Sequence, residues 1–463
     1  MFKIISFNRI ILLVLLVFIP LYPKFPLANF TGTFVALRLD DIVIAISLFV
    51  WFLTQIKSKF NFLKFPITKL FIVYFISIFI SFIQAYLIFQ TEPTNILILH
   101  LLRRFEYISL FFIAITSVKF NEFSLYFKFL IITNIFIAFY GYGQKYFQFP
   151  VVSTMNSEFS KGQLLHMDIW TRISSTFAGH YDLAVYLSII LILIGGVIVT
   201  TKNIYLKLFL ITNWLVSFHL LTLTASRVSN FAFLGGIVVT LILLRKFLWV
   251  IPVCLIFAFS LVNSVDLKQR LLATVPSFKI NFNHNNQKIT PTVIPTITQA
   301  STNPSSNPNT PPTKVTPIPT IIRHGPIEEQ VPVDADTGVT RSGEIRFKVE
   351  WPRAITAFKK NILFGTGLGS ISLATDNDYL RLLGESGLFG FLSFLGIFCY
   401  FIISSIKPII NKNIPITIFF GALLTFLLNA TLIDAFEASK TAYLFWIMMG
   451  FYFVSLNQYH VKK

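Results

Sequence analysis

From Ile10 almost to the C-terminus the chain is a succession of apolar runs, many reaching the roughly 20 residues that a helix needs to cross about 30 Å of hydrocarbon. A soluble globule has no place to bury so many. Of its 463 residues 55% are hydrophobic, 53 of them Phe, and only 13% are charged, where an ordinary soluble domain carries roughly 25%. The expected fold class is therefore all-α, a polytopic bundle with the bilayer as its solvent.

Run lengths and flanks give about twelve spans, near 10–22, 42–56, 67–89, 100–118, 124–143, 182–199, 204–224, 228–244, 247–263, 387–405, 414–433 and 441–456. They divide the chain into an N-terminal bundle part (1–264, about nine spans), a long outer loop (265–381) and a C-terminal bundle part (382–463, about three spans). The first run follows Lys3 and Arg9 as a secretory signal would, but Leu21-Tyr22-Pro23-Lys24 offers no small-residue cleavage site, so it reads as a retained anchor. Cys254 and Cys399 both sit in apolar runs and read as packing residues.

Orientation follows from charge. With the N-terminus inside, Lys57, Lys59, Lys64, Lys119, Lys128, Lys202, Lys207, Arg245, Lys246, Lys407 and Lys412 all collect on the cytoplasmic side, and Lys462 and Lys463 close the chain there. Both termini are expected in the cytoplasm. The long loop then lies outside, and its basic residues do not oppose this, because long loops cross largely regardless of charge. Apart from His219 the span interiors read as almost free of ionisable groups, which argues against an ion-coupled transporter and moves the chemistry to a membrane face.

Within the outer loop, 285–319 is dominated by Thr, Pro, Asn and Ser and is expected to be disordered. The segment 341–370 differs, with Ile345, Val349, Ile355 and Phe358 interleaved with Arg346, Arg353, Lys359 and Lys360, and it reads as an amphipathic helical island. Pro352 starts or kinks its second half, and Gly365, Gly367 and Gly369 mark a turn whose spacing is wrong for a dinucleotide fingerprint. Asp376, Asn377 and Asp378 then lead without a break into the tenth span. His166, His180 and His219 show no metal spacing.

Four outer segments together resemble the O-antigen ligase and O-antigen polymerase family of bacterial membrane glycan transferases. Arg172 to Phe177 looks like that family's Arg-x-x-Ser-Thr-Phe start of a span, and Ser226-Arg227 looks like its Ser-Arg pair at an outer helix end. Arg346, Trp351, Gly365 and Gly367 are similar to the Arg, Trp and Gly-x-Gly of its periplasmic loop. Asp376-Asn377-Asp378-Tyr379-Leu380 and Glu385-Ser386-Gly387 resemble its closing motif, with Asp376 where ligases usually have a histidine base.

The resemblance implies a glycosyltransferase of the cytoplasmic membrane, working at its outer face without metal or cofactor. It would move a glycan with inversion from an undecaprenyl-diphosphate-linked donor to an acceptor hydroxyl on a lipid or another glycan. Membrane lipids are its surroundings, and no nucleic acid is involved. Arg227 and Arg346 would stabilise the charge growing on the departing diphosphate, and Asp376 would take the acceptor's proton. Arg172, Arg353, Asn377 and Tyr379 are expected to bind substrate. Simpler roles stand beside these: Arg227 snorkelling from a span end, Arg346 pairing with Glu350 at i, i+4, an Asp-Asn helix cap before Tyr379, and Arg103, Arg104 and Glu106 as interfacial anchors. The competing function is a lipid-linked oligosaccharide flippase or polysaccharide exporter, which would want charges along a central path.

Overall fold

A computed structural model describes residues 2–29, 36–90, 93–152, 164–165, 172–264, 345–371 and 374–461. The expected disorder of 285–319, and with it most of the outer loop, lies outside the described residues, as do His166, Lys462 and Lys463. Among the described residues there are thirteen α-helices: α1 (Phe2–Leu21), α2 (Leu39–Lys57), α3 (Pro66–Gln84), α4 (Thr94–Ser117), α5 (Phe123–Phe147), α6 (His180–Thr200), α7 (Ile204–Leu223), α8 (Arg227–Leu243), α9 (Val250–Asn263), α10 (Trp351–Lys360), α11 (Asp378–Ile410), α12 (Ile414–Asn429) and α13 (Ser439–Val461). Two short antiparallel pairs, β1 (Pro26–Asn29) with β2 (Ala36–Arg38) and β3 (Val151–Val152) with β4 (Leu164–Leu165), accompany them.

The chain is an all-α bundle, and each of the twelve apolar runs overlaps a helix, although 67–89 and 247–263 also take in a short separate turn and 414–433 runs four residues past α12. Six of these helices, α2, α3, α5, α6, α7 and α11, are long and apolar enough to cross a membrane by length and composition, in places together with the short turns that adjoin them. They are the helices of a membrane protein. Large apolar side chains such as Phe139, Phe147, Phe259 and Ile403 stand exposed around the outside, as they do where lipid rather than water is the neighbour.

At the centre stands α6. Its sequence is apolar on every side, and a helix without a polar face belongs in the interior; 89% of its most apolar window is buried. It packs against α7, α8 and α12. Where α8 crosses α12 the contact is close and reciprocal, since a Cβ at Gly236 would run into Thr425 and one at Gly421 into Thr240. Small residues that let backbones approach are what drives helix association in lipid, with buried amides as a supplement. Asn134 of α5 supplies one, donating to Asn213 Oδ1 at 3.0 Å and Ser217 Oγ at 2.7 Å on α7.

The island and the tenth span are joined by a broken helix. Pro352 sits in the first turn of α10, where its missing N–H costs nothing. After Lys360 the chain turns through Gly365, Gly367 and Gly369, all at positive φ. It lies against α11 where Gly387 leaves helical geometry (φ 63, ψ −167). The break frees backbone groups, and the loop satisfies them: Thr366 N donates to Gly384 O at 3.0 Å, Gly367 N to Glu385 O at 2.9 Å, while Leu388 N and Phe389 N donate to Ile362 O and Leu363 O at 2.8 and 3.0 Å. The Glu385-Ser386-Gly387 motif is thus a structural junction. A glycine is required, because a Cβ at Gly387 would meet the backbone of Leu363, Phe364 and Gly365 at 2.5 Å.

Gly387→Ala is therefore expected to lower thermal stability strongly in detergent, the left-handed backbone alone costing on the order of 1–3 kcal/mol. Gly396→Ala in the same helix has nothing within 4 Å of the added Cβ and serves as the control; equal melting temperatures for the two variants would contradict this account.

Candidate functional site

α6 begins at His180 and α8 at Arg227, so each presents the positive dipole end of a helix N-terminus to the same end of the bundle. Ser226 caps α8, its Oγ accepting from Ser229 N at 3.4 Å, and Asn230 Nδ2 donates to the Ser226 carbonyl at 2.8 Å. The local sequence therefore sets the helix start and leaves Arg227 on its first turn, half-buried. A cation at this place opposes the helix dipole. Two further arginines from distant segments, Arg172 and Arg346, lie within electrostatic reach of it, as does Tyr181.

Arg346 opens a single π turn (Arg346–Glu350) that runs into α10, and its side chain is buried. Its Nε donates to Asp376 Oδ2 at 2.8 Å and its Nη2 lies 2.7 Å from the same oxygen. The partner is thus Asp376, thirty residues away, rather than Glu350 on the next turn. Burial works against the Arg346 cation, but Asp376 and Tyr181 outweigh it and hold it above the ordinary arginine range. For Asp376 burial leads, opposed by Arg346 and reinforced by Asp434, and the carboxyl rests above its usual range. Arg172 completes the group from the other side, donating from Nη1 to His180 Nε2 at 2.6 Å.

Asp376 sits in the left-handed region at φ 49, a conformation that Asp and Asn tolerate better than most residues. Asp434 holds the turn from both flanks, accepting from Thr375 N at 2.8 Å and Asn377 N at 3.2 Å. Deeper lies a buried layer of charge. Arg381 lies 3.7 Å from Asp434 and 3.8 Å from Glu385. Arg104 is paired with Glu437, whose carbonyl also accepts from Tyr107 Oη at 3.3 Å. Burial pushes the Glu437 carboxyl up, but Arg104 and Arg381 outweigh it and hold it below its ordinary value. Arg104 accordingly faces the bundle interior instead of anchoring at a lipid interface.

The expected site residues divide. Arg172, Arg227, Arg346 and Asp376 come together. Asn377 caps α11 by accepting from Leu380 N at 2.9 Å, and Tyr379 Oη donates to Leu427 O at 2.9 Å, so their polar atoms are engaged inside the fold. Arg353 is half-buried beside Glu350, and burial lowers it while Glu350 opposes the change.

Four residues outside the expected site set enter here. Tyr181 and His180 follow directly from the first turn of α6. Asp434 offered one signal, as a carboxylate that shares with Glu437 the gap between the last two apolar runs. Glu350 is pushed up to about 7 by burial, then by Asp376 and Asp434, against Arg346 and Arg353, and its Oε2 is buried with no hydrogen-bond partner among the described residues. No group of three His, Cys, Asp or Glu side chains gathers as a metal centre would need, again among the described residues. The chain matches no family model and no curated protein sequence.

Glu350 makes stability pH-dependent. Its folded value lies above the ordinary 4.5, so between about 4.5 and 7 the folded protein binds more protons than the unfolded one and stability falls as pH rises through that window. Melting temperatures at pH 5.5 and 8 are expected to differ less for Glu350→Gln than for the parent protein. An unchanged difference would remove Glu350 as its source.

Proposed function

We propose that this chain transfers a glycan from an undecaprenyl-diphosphate-linked donor to an acceptor hydroxyl at the outer face of a bacterial cytoplasmic membrane, as an O-antigen ligase or polymerase would. One observation carries the reading: Arg172, Arg227 and Arg346, from three distant segments, converge beside two helix N-termini with Asp376 held among them. Fixed guanidinium groups and helix N-termini are together what a lipid diphosphate needs as it leaves.

The steps balance simply. Asp376, its carboxyl above the usual range, accepts the proton of the acceptor hydroxyl; the oxygen attacks the anomeric carbon from the face opposite the diphosphate. As the new glycosidic bond forms the old one breaks, and its electron pair leaves on the diphosphate, whose growing charge Arg227 and Arg346 meet. A flippase or exporter is favoured less, because the charges gather at one end of the bundle and not along a path through it.

For topology we propose twelve spans with both termini cytoplasmic. The lysines and arginines of the 57–64, 119–128, 202–207, 245–246 and 407–412 connections support this, all falling at the end opposite the arginine cluster. In a Cys254→Ala, Cys399→Ala background, Lys360→Cys is expected to be labelled by an impermeant maleimide in intact cells and Lys202→Cys only after lysis. The reverse pattern would invert the orientation.

Arg227→Lys and Arg346→Lys are each expected to slow transfer from a purified lipid-diphosphate glycan about a hundredfold, because lysine keeps the charge and loses the planar fork. Asp376→Asn should stop transfer while donor binding survives. Near-normal turnover in all three variants, at matched protein levels, would refute the assignment.

A further inference from the structure

From Leu183 to Ser264, the stretch that carries nearly all of α6 and the whole of α7, α8 and α9, the chain has no Asp or Glu. Its Lys and Arg residues other than Arg227, namely Lys202, Lys207, Arg245 and Lys246, fall at the end of the bundle opposite the arginine site. None of these four is in an ion pair among the described residues. Arg245 and Lys246 are exposed on the turn between α8 and α9. Lys207, half-buried at the start of α7, holds its ammonium 4.9 Å from the centre of the Trp249 ring.

Beside this basic end the four helices leave a groove of about 140 Å³, which Trp249 helps to line. Its origin is the way α9 is held. Phe257 is the one buried residue of that helix and packs against Phe218 and Phe231, with ring centroids 6.5 and 5.6 Å away. At the other end of α9 the turn is tied to α8, Lys246 N donating to Leu241 O at 2.8 Å. Between these two points a gap is left, closed on its far side by Gly195 of α6, Trp214 of α7 and Ile237 of α8. Ile237 and Leu241 lie about 15 and 21 Å along α8 from Arg227, so the groove belongs to the half of the membrane away from the arginine site.

Every side chain that lines the groove is apolar, and the Trp214 N–H is already donated to Leu191 O at 3.1 Å. Nothing there holds water, and an apolar cavity of about this size stays dry and accepts hydrocarbon. The groove is open to the outside, where Leu215 and Pro252 are exposed, so lipid chains have access to it. The head group that accompanies such a chain is chosen by the rim. Lys207 over an indole is a cation held at the level where tryptophans and snorkelling lysines meet lipid phosphates, and no carboxylate of these four helices competes for it. A polyprenyl chain whose diphosphate sat at the arginine site would bring no charge to this rim.

We propose that the groove between α6, α7, α8 and α9 holds part of one acyl chain of an anionic phospholipid, whose phosphate lies against Lys207 beside the Arg245-Lys246 turn. The site does not depend on the glycan-transfer reading or on which way the bundle is oriented. The full-length protein is placed in phosphatidylcholine vesicles containing increasing mole fractions of phosphatidylglycerol or phosphatidylcholine dibrominated on one acyl chain, and tryptophan fluorescence is read. Bromine quenches an indole only near contact, and Trp214 lines the groove while being only 6% exposed. Its share of the signal is the difference between the parent protein and Trp214→Phe. Brominated phosphatidylglycerol is expected to quench that share at about fivefold lower mole fraction than brominated phosphatidylcholine, the effect of one cation beside an anionic lipid.

Lys207→Gln should bring the two lipids to the same value, and Val253→Phe, which fills the groove, should remove the quenching by both. If Val253→Phe fails to fold, Lys207→Gln at the rim carries the test. No Trp214 quenching by either lipid, or quenching that Val253→Phe leaves in place, overturns the site. Equal quenching by the two lipids in the parent protein, or a preference that survives Lys207→Gln, overturns the anionic head group. Undecaprenyl diphosphate added at the same mole fraction as the brominated phosphatidylglycerol is expected to leave the quenching unchanged; recovery of the fluorescence would give the groove to a polyprenyl chain and overturn the phospholipid assignment.

Discussion

Inside an apolar bundle a helix cannot stop without leaving N–H and C=O groups that only other protein atoms can satisfy. The break at Gly387 is where this chain meets that constraint, and much of the site hangs from it. The loop after α10 gives its own backbone to the freed groups of Gly384, Glu385, Leu388 and Phe389, so the island cannot move independently of the helix it repairs. That bond set places Arg346, at the start of the island, within reach of Asp376, just before the same broken helix. Two residues thirty positions apart are thereby brought to 2.7 Å by a junction that neither belongs to.

The second controlling term is electrostatic. Arg227 on the first turn of α8 is set against the dipole of its own helix, and Arg172 and Arg346 add like charge nearby. Such an arrangement lowers stability unless an anion offsets it, and within the chain Asp376 does so for Arg346. Arg172 is turned instead to His180 Nε2 at 2.6 Å. The cluster therefore gathers three guanidinium groups beside two helix N-termini, the kind of place where the diphosphate of the proposed reaction would sit.

How far the residues alone reveal this differs by element. The helices were readable because each apolar run is long and its flanks are polar or glycine-rich, so period and length agree. The glycines of the island were readable as a turn, but not as the partner of Gly387, since pairing between 361–367 and 384–389 is a tertiary fact with no local pattern. Arg346 illustrates the limit well. Its spacing suggested Glu350, a neighbour one helical turn on, yet the segment forms a π turn and the side chain reaches Asp376. Asn377 and Tyr379 were grouped with the site by their resemblance to a family motif, but capping α11 and bonding to Leu427 engage their polar atoms elsewhere. Asp434, and Glu350 as anything more than a partner for Arg346, stood outside the expected site for the converse reason: what distinguishes them is burial beside other carboxylates, which no single sequence records.

The ion pair between Arg346 and Asp376 also bears on order of events in the proposed reaction. In the resting site one guanidinium holds the carboxylate that is to accept a proton, and the pairing opposes that role by favouring the charged form. A diphosphate arriving beside Arg346 competes for the same donors with more charge than one carboxylate carries. As the guanidinium turns to the phosphate oxygens, Asp376 loses its strongest stabilising partner while burial and Asp434 remain, and both push its carboxyl toward holding a proton. On this reading donor binding raises further the basicity of a carboxyl that burial already holds above its usual range. The fold supports this sequence because the Thr375 and Asn377 N–H groups are held by Asp434, not by Arg346, so the turn keeps its shape when the ion pair opens.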